Sequence, residues 1–259
     1  MTITTETPEQ WRDLQQMVAA ILREAGMNAE VEKTLPTVRS RIEIDIYSVE
    51  TTDDGRRYSL VCECKNWKTA VPQEKVLALR SVMNDVGANK GYIISTGGFQ
   101  SGAFDAAAAT NISLVTWPEF QAEFEQLWFR KHFSPVITEK LDTLVGYVEP
   151  VGVPSWWHSL SEDGVVQFRK LLYKYALFGF LAQSLSSYAL EFRKHDVPKL
   201  PLAEHAPGLL LRATGKKFEP VPNSVATATG YRQLMDEMLR VNDEALSAFH
   251  FVRDNFKKA

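Results

Sequence analysis

Residues 41–48 read Arg-Ile-Glu-Ile-Asp-Ile-Tyr-Ser, with apolar and polar residues in strict alternation. A period of two belongs to a β-strand, because successive side chains leave the backbone on opposite faces. Ile42, Ile44 and Ile46 are expected on one face, and Glu43, Asp45 and Tyr47 on the other. Residues 58–65 (YSLVCECK) form a second such segment, and Asp53-Asp54-Gly55 between the two predicts a turn and hence a hairpin. If Cys62 and Cys64 join the isoleucine face, then Asp45, Glu63 and Lys65 converge on the opposite one.

The flanking pattern says what covers the hairpin. Thr5 or Thr7 can cap a first helix with Pro8 in its first turn, and Trp11, Leu14, Val18, Ile21 and Leu22 follow at helical spacing before Gly26. Residues 73–85 predict a helix with Val76, Leu79, Val82 and Met83 inward. Residues 90–95 read as a short apolar strand, 102–109 as a helix of small residues, 112–116 as a strand, and 117–131 as a helix. Strands alternating with helices imply an α/β layer with at least one parallel pairing. Beyond it, prolines and glycines punctuate residues 134–155. A long helical pattern covers 165–194, proline-rich loops follow, and a last helix covers 229–255. Residues 1–130 carry 13 basic and 18 acidic side chains, and the remainder 16 and 14. Two domains are expected: an α/β domain over 1–131 and a mostly α-helical one over 132–259.

Composition removes several classes. A chain of 259 residues, 45% hydrophobic and 24% charged, has enough apolar surface for a packed core. With a net charge of -3, nucleic-acid binding would need a local basic patch. Cys62 and Cys64 are the only cysteines, too few for a disulfide framework, and a cytoplasmic protein is expected. They also lack the further ligands that a zinc site needs, and read as core thiols. Residues 175–190 are apolar but shorter than the roughly 20 residues of a membrane span, and the N-terminus lacks the pattern of a signal peptide.

Two carboxylates and an ammonium at strand ends offer hard oxygen ligands for magnesium and a cation to orient or deprotonate water. The competing reading is a solvated strand face with a cross-strand ion pair. Ile44-Asp45, a seventeen-residue interval and Glu63-Cys64-Lys65 resemble the PD-(D/E)xK nuclease superfamily, and within it the Mrr-type restriction-endonuclease domain. The resemblance runs from about Pro8 to Phe120. It includes LQQMVAAILREAG, IEIDIY, VCECKNWK and the segment from VPQEKVLALR to ISLVTW. It implies a restriction-endonuclease-like mixed sheet flanked by helices, with Asp45 and Glu63 on a divalent metal and Lys65 positioning the attacking water. The metal would be magnesium, with manganese able to substitute. The family commonly places a glutamate in the first helix eleven residues before the glycine. Gln15 stands there, keeping hydrogen-bonding capacity without charge. Glu43 could supply the missing carboxylate, and Gln73 could approach from the following helix.

The resemblance thus implies a metal-dependent DNA endonuclease acting in restriction or phage defence. A homodimer is possible, since cutting both strands needs two sites. Two alternatives stay open: a nuclease fold that binds without cutting, and a ligand-activated nuclease acting on RNA or single strands. Ser95-Thr96-Gly97-Gly98 could hold a phosphate but reads better as a tight turn. Trp156 and Trp157 could stack on bases but read better as core anchors. Leu171, Tyr175, Phe178, Ala182, Leu185 and Ala189 form an apolar helix stripe. Lys170, Lys174, Arg193, Lys194, Lys216 and Lys217 are the helical domain's candidates for phosphate contacts.

Overall fold

The computed structural model describes residues 2–37, 40–149, 153–192, 197–210 and 218–258. The chain divides into two compact units, Glu6–Trp128 and Phe129–Ala259 together with Met1–Thr5.

In the first unit, five strands lie in sequence order: β1 (Asn28–Pro36), β2 (Arg41–Thr51), β3 (Arg57–Lys65), β4 (Lys90–Ser95) and β5 (Ile112–Thr116). β1–β2–β3 is antiparallel, and β4 and β5 continue from β3 in parallel. Helices α1 (Trp11–Glu24), α2 (Gln73–Val86), α3 (Ser101–Ala107) and α4 (Trp117–Trp128) complete the mixed, helix-flanked sheet that the family resemblance implies. Ile46, Cys62 and Tyr92 lie abreast across three strands, and Tyr92 meets Phe120 and Phe124 of α4. On the opposite face Val61 and Ile93 pack with Val76, Leu79 and Met83 of α2 and Ala103 of α3. Gly91 belongs to that face because a Cβ there would fall 2.3 Å from the Met83 sulfur.

Three features of this unit differ from the expectation. α1 begins at Trp11, after Pro8: Gln10 occupies the cap and its N–H donates to Asp13 Oδ2 at 2.8 Å, a reciprocal capping arrangement that neither Thr5 nor Thr7 provides. β1 was not foreseen, because its glutamates and lysine obscure a period of two on a strand at the sheet edge. The alternation in β2 also fails at Asp45. Ile44 and Tyr47 both pack with the α2 side, although they are an odd number of residues apart, while Ile46 lies across from Cys62 on the other face. The irregularity has a backbone origin. Pairing runs from Val31–Ile46 to Lys33–Ile44, and between these pairs Glu32 adopts a left-handed conformation with φ 52°.

The second unit is helical: α5 (Ser134–Val148), α6 (Glu162–Leu185), α7 (Ser187–Phe192) and a C-terminal helix (Tyr231–Asn255). α5 occupies much of the stretch expected to be broken by proline. Pro135 lies in its first turn, where the missing N–H costs nothing. The long helical pattern splits at Ser186, whose extended backbone ends α6 and whose hydroxyl accepts from the Ala189 N–H of the next helix. Tyr175, Phe178, Ala182 and Leu185 of the stripe are buried. Trp156 and Trp157 pack edge-on to Phe168, with Phe249 and Tyr147 completing a ring cluster. Both are half-buried in this cluster. No helix among the described residues is long and apolar enough to cross a membrane.

Candidate active site

The β2–β3 ladder begins at Thr51–Arg57 and stops at Ile46–Cys62, although β3 continues to Lys65. The two strands therefore open at Asp45. Its side chain turns into the opening, and Oδ2 accepts the Cys64 N–H at 2.7 Å, so a carboxylate takes the place of a backbone carbonyl. The other side of Cys64 is held from α1, where Trp11 Nε1 donates to the Cys64 carbonyl at 3.0 Å. Both backbone hydrogen-bonding groups of Cys64 are engaged by side chains, which holds the two peptide units that join it to Glu63 and Lys65.

Glu63 and Lys65 project from the same face of β3 and form an ion pair through Lys65 Nζ and Glu63 Oε1. Burial raises the Asp45 carboxyl above its ordinary value, and the nearby Glu63 charge acts in the same direction. The Cys64 N–H, Lys65 and Gln15 oppose them. Asp45 and Glu63 are thus close enough to repel. Gln15, buried in α1 with 1% exposure, lies near enough to favour the ionised form of Asp45, yet its Nε2 has no partner at hydrogen-bond length. A buried donor held short of a full hydrogen bond costs stability, and the Asp45 carboxylate is the acceptor it acts on.

A pocket of about 210 Å³ adjoins the opening and is lined by Glu43 and Ile44 of β2, Glu63 of β3 and Lys75 and Leu79 of α2, among others. Glu43, a candidate from the sequence, therefore shares a pocket with Glu63. Gln73 opens α2, but its Oε1 lies over Gly102 at the start of α3, and no described hydrogen bond joins it to Asp45, Glu63 or Lys65. Two side chains at this place escaped the sequence reading. Trp67 follows β3 with its ring 5.4 Å from Lys65 Nζ and 5.8 Å from Lys75 Nζ. The available signal was a lysine in the first turn of a helix, where anions are favoured.

Cys62 and Cys64 are fully buried, and burial pushes both thiols far up, as suits core residues. Among the described residues no group of three or more His, Cys, Asp or Glu side chains could hold a metal ion. Ser95–Gly98 is a self-bonded turn, in which the Ser95 hydroxyl donates to the Gly98 carbonyl and accepts the Gly97 N–H. A Cβ on Gly97 would lie 2.4 Å from the Trp67 carbonyl oxygen and 2.7 Å from that of Thr69. The turn after β4 therefore rests directly on the loop after β3. Of the basic candidates in the helical unit, Lys174 pairs with Glu244 at 3.0 Å and Lys170 is exposed, while Arg193, Lys194, Lys216 and Lys217 lie outside the described residues.

A mixed sheet with helices on both faces and an acidic opening between two strands defines a restriction-endonuclease-like domain. Residues 8–124 match the Mrr_cat family model, described as a restriction endonuclease, and this segment is a domain of that family. The resemblance read over about Pro8 to Phe120 is borne out. No curated protein matches the chain. Solved structures similar to it include a protein of unknown function, AF1548, at 19% identity and TM-score 0.36, covering 50% of this chain and 76% of that one. A repair endonuclease from Pyrococcus abyssi matches at 15% identity and TM-score 0.30, covering 43% of this chain and 48% of its own. The DNA modification-dependent restriction endonuclease AspBHI matches at 12% and 0.29, covering 46% of this chain and 38% of its own.

Proposed function

We propose that the chain is a metal-dependent endonuclease that hydrolyses phosphodiester bonds in DNA, with Asp45, Glu63 and Lys65 as its reacting core. The observation that carries this reading is the opening of the β2–β3 ladder, where two carboxylates and an ammonium meet within a domain of a restriction-endonuclease family.

The donor set fits a hard divalent cation. Asp45 and Glu63 are near enough for one charge to raise the other's pKa, so a cation between them would relieve their repulsion. Magnesium, which is bound through one or two carboxylates and keeps much of its water, suits such a site, and manganese can substitute. Asp45 and Glu63 would hold it. When bound, the cation supplies charge against the phosphoryl oxygens and a more acidic water. The protein's own groups do the rest. The Cys64 N–H keeps Asp45 Oδ2 in the opening, and Glu63 holds Lys65 Nζ where it can donate to the attacking water or to a phosphate oxygen. Gln15 Nε2 offers a neutral donor to the same space.

Restriction or phage defence in a prokaryotic cytoplasm belongs to this reading. The helical unit would then select substrate, sense a signal or pair two copies so that both strands are cut. Gln15 in place of a charged ligand favours the alternative of a nuclease fold that binds without cutting. Nicking of supercoiled plasmid, with single-stranded DNA and RNA in parallel, in magnesium, manganese and EDTA separates them. Metal-dependent cutting of DNA that is lost in Lys65→Ala is expected. DNA retardation on a gel without cutting by either protein would put the binding reading first, and cutting of RNA or single strands alone would replace the substrate.

A further inference from the structure

The pocket beside Glu63 is lined by a positive charge that has no described ion pair. Lys75 is the third residue of α2, in the first turn, where the helix presents the positive end of its dipole and a cation is disfavoured. Three and four residues on are Ala78 and Leu79, so no carboxylate of the same helix face offsets it there. Among the described residues Lys75 forms no ion pair, although it shares the pocket with Glu43 and Glu63. Its described contact is the ring of Trp67, 5.8 Å away, which also meets Lys65. One half-exposed indole thus gathers two ammonium groups from different elements beside the acidic opening.

A polyanion approaching this place meets the carboxylates of Asp45, Glu63 and Glu43, and Lys65 is already engaged with Glu63. Lys75 is the uncommitted positive charge lining the pocket. We infer that Lys75 contacts a backbone phosphate of the DNA strand being cut and that Trp67 is the positioning residue that holds it there, an inference resting on the nuclease reading above. The competing role, a lysine that only moderates the local acidic field, makes a different prediction about salt. A direct phosphate contact releases condensed counterions, and each contact contributes about 0.9 to the slope of log K against log salt on duplex DNA.

The test uses the full chain and a fluorescently labelled duplex in EDTA, with binding followed by anisotropy across a salt series. Lys75→Gln is expected to lower the magnitude of the slope by about 0.9, and to weaken binding alike on unrelated duplex sequences. Its thermal unfolding should match or exceed that of the wild type. Lys90→Gln is the matched control, because Lys90 also sits over a ring, 5.3 Å from Tyr92, but lies across from Leu60, at the far end of the ladder from Lys65. Its slope should not change. Trp67→Leu, which keeps the charge and frees it, should lose part of the slope, and Trp67→Phe should restore it. An unchanged slope in Lys75→Gln, or equal losses in Lys75→Gln and Lys90→Gln, overturns the phosphate contact while leaving the nuclease reading in place. A wild type that binds no duplex overturns the phosphate contact, and the plasmid assay above then decides the nuclease reading.

Discussion

At the β2–β3 opening, a carboxylate is partly buried beside a second carboxylate, and the Gln15 amide next to them is buried with its Nε2 unpartnered. Around Phe168 in the helical unit the opposite holds. Trp156, Trp157 and Phe249 approach its ring at 4.7–5.5 Å between centroids, in edge-to-face or tilted geometry. Even the unpartnered donor there, Trp156 Nε1, belongs to a side chain that meets Tyr147 and Phe168 edge-on, where an N–H can rest against a π face. One region leaves charged and polar groups incompletely paired; the other is packed ring against ring. Chemistry is thus expected where packing is poorest in partners, and stability where it is richest.

That contrast can be broken by experiment. Lys65→Ala should lower metal-dependent cleavage by about 10²–10⁴-fold with little change in thermal unfolding; a large fall in melting temperature instead would make Lys65 a structural residue. Phe168→Ala should cost about 3–5 kcal/mol in denaturant unfolding, since it empties the centre of the ring cluster. A cost below 1 kcal/mol would show that the helical unit does not depend on that cluster.

A finer test is Gln15→Met, which removes the unsatisfied donor while keeping much of the volume. It should raise stability by about 1 kcal/mol and reduce cleavage, the opposing signs expected of a group kept for a ligand. Loss of both would assign Gln15 to the fold. The smallest effect concerns pH. Because the folded state holds the Asp45 proton more tightly than the unfolded state, ionising it costs stability. In EDTA the protein should therefore lose stability as pH rises from the ordinary carboxylate value through the raised one. Asp45→Asn should lack that part of the slope; an identical pH profile in the variant would remove Asp45 as its source.

Elements with a clear period could be read from the chain. Residues 90–95 and 112–116 are β4 and β5 as expected, and the helix read from residue 73 is α2. The strand alternation also brought Asp45, Glu63 and Lys65 together, but for an incomplete reason. A continuous hairpin would have put Asp45 on a flat face, whereas the ladder stops one residue earlier and turns the side chain toward a backbone amide. A period of two carries no record of where pairing ends or of a left-handed residue on the neighbouring strand, so Glu32 and the displaced Ile44 could not be foreseen. Lys75 escaped for a related reason. The carboxylates that share its pocket come from β2 and β3, and only tertiary packing brings them together.

Gly97 gives the arrangement a mechanical aspect. The carbonyls of Trp67 and Thr69 occupy the space where its side chain would be. The loop carrying Trp67 is therefore seated on another backbone, and its height above the sheet is set by main chain rather than by exchangeable side chains. A methyl group at position 97 would act as a wedge, lifting the indole away from the two lysines it meets without deleting a single reactive group. The position is an adjusting screw for the spacing between where a strand is gripped and where it is cut.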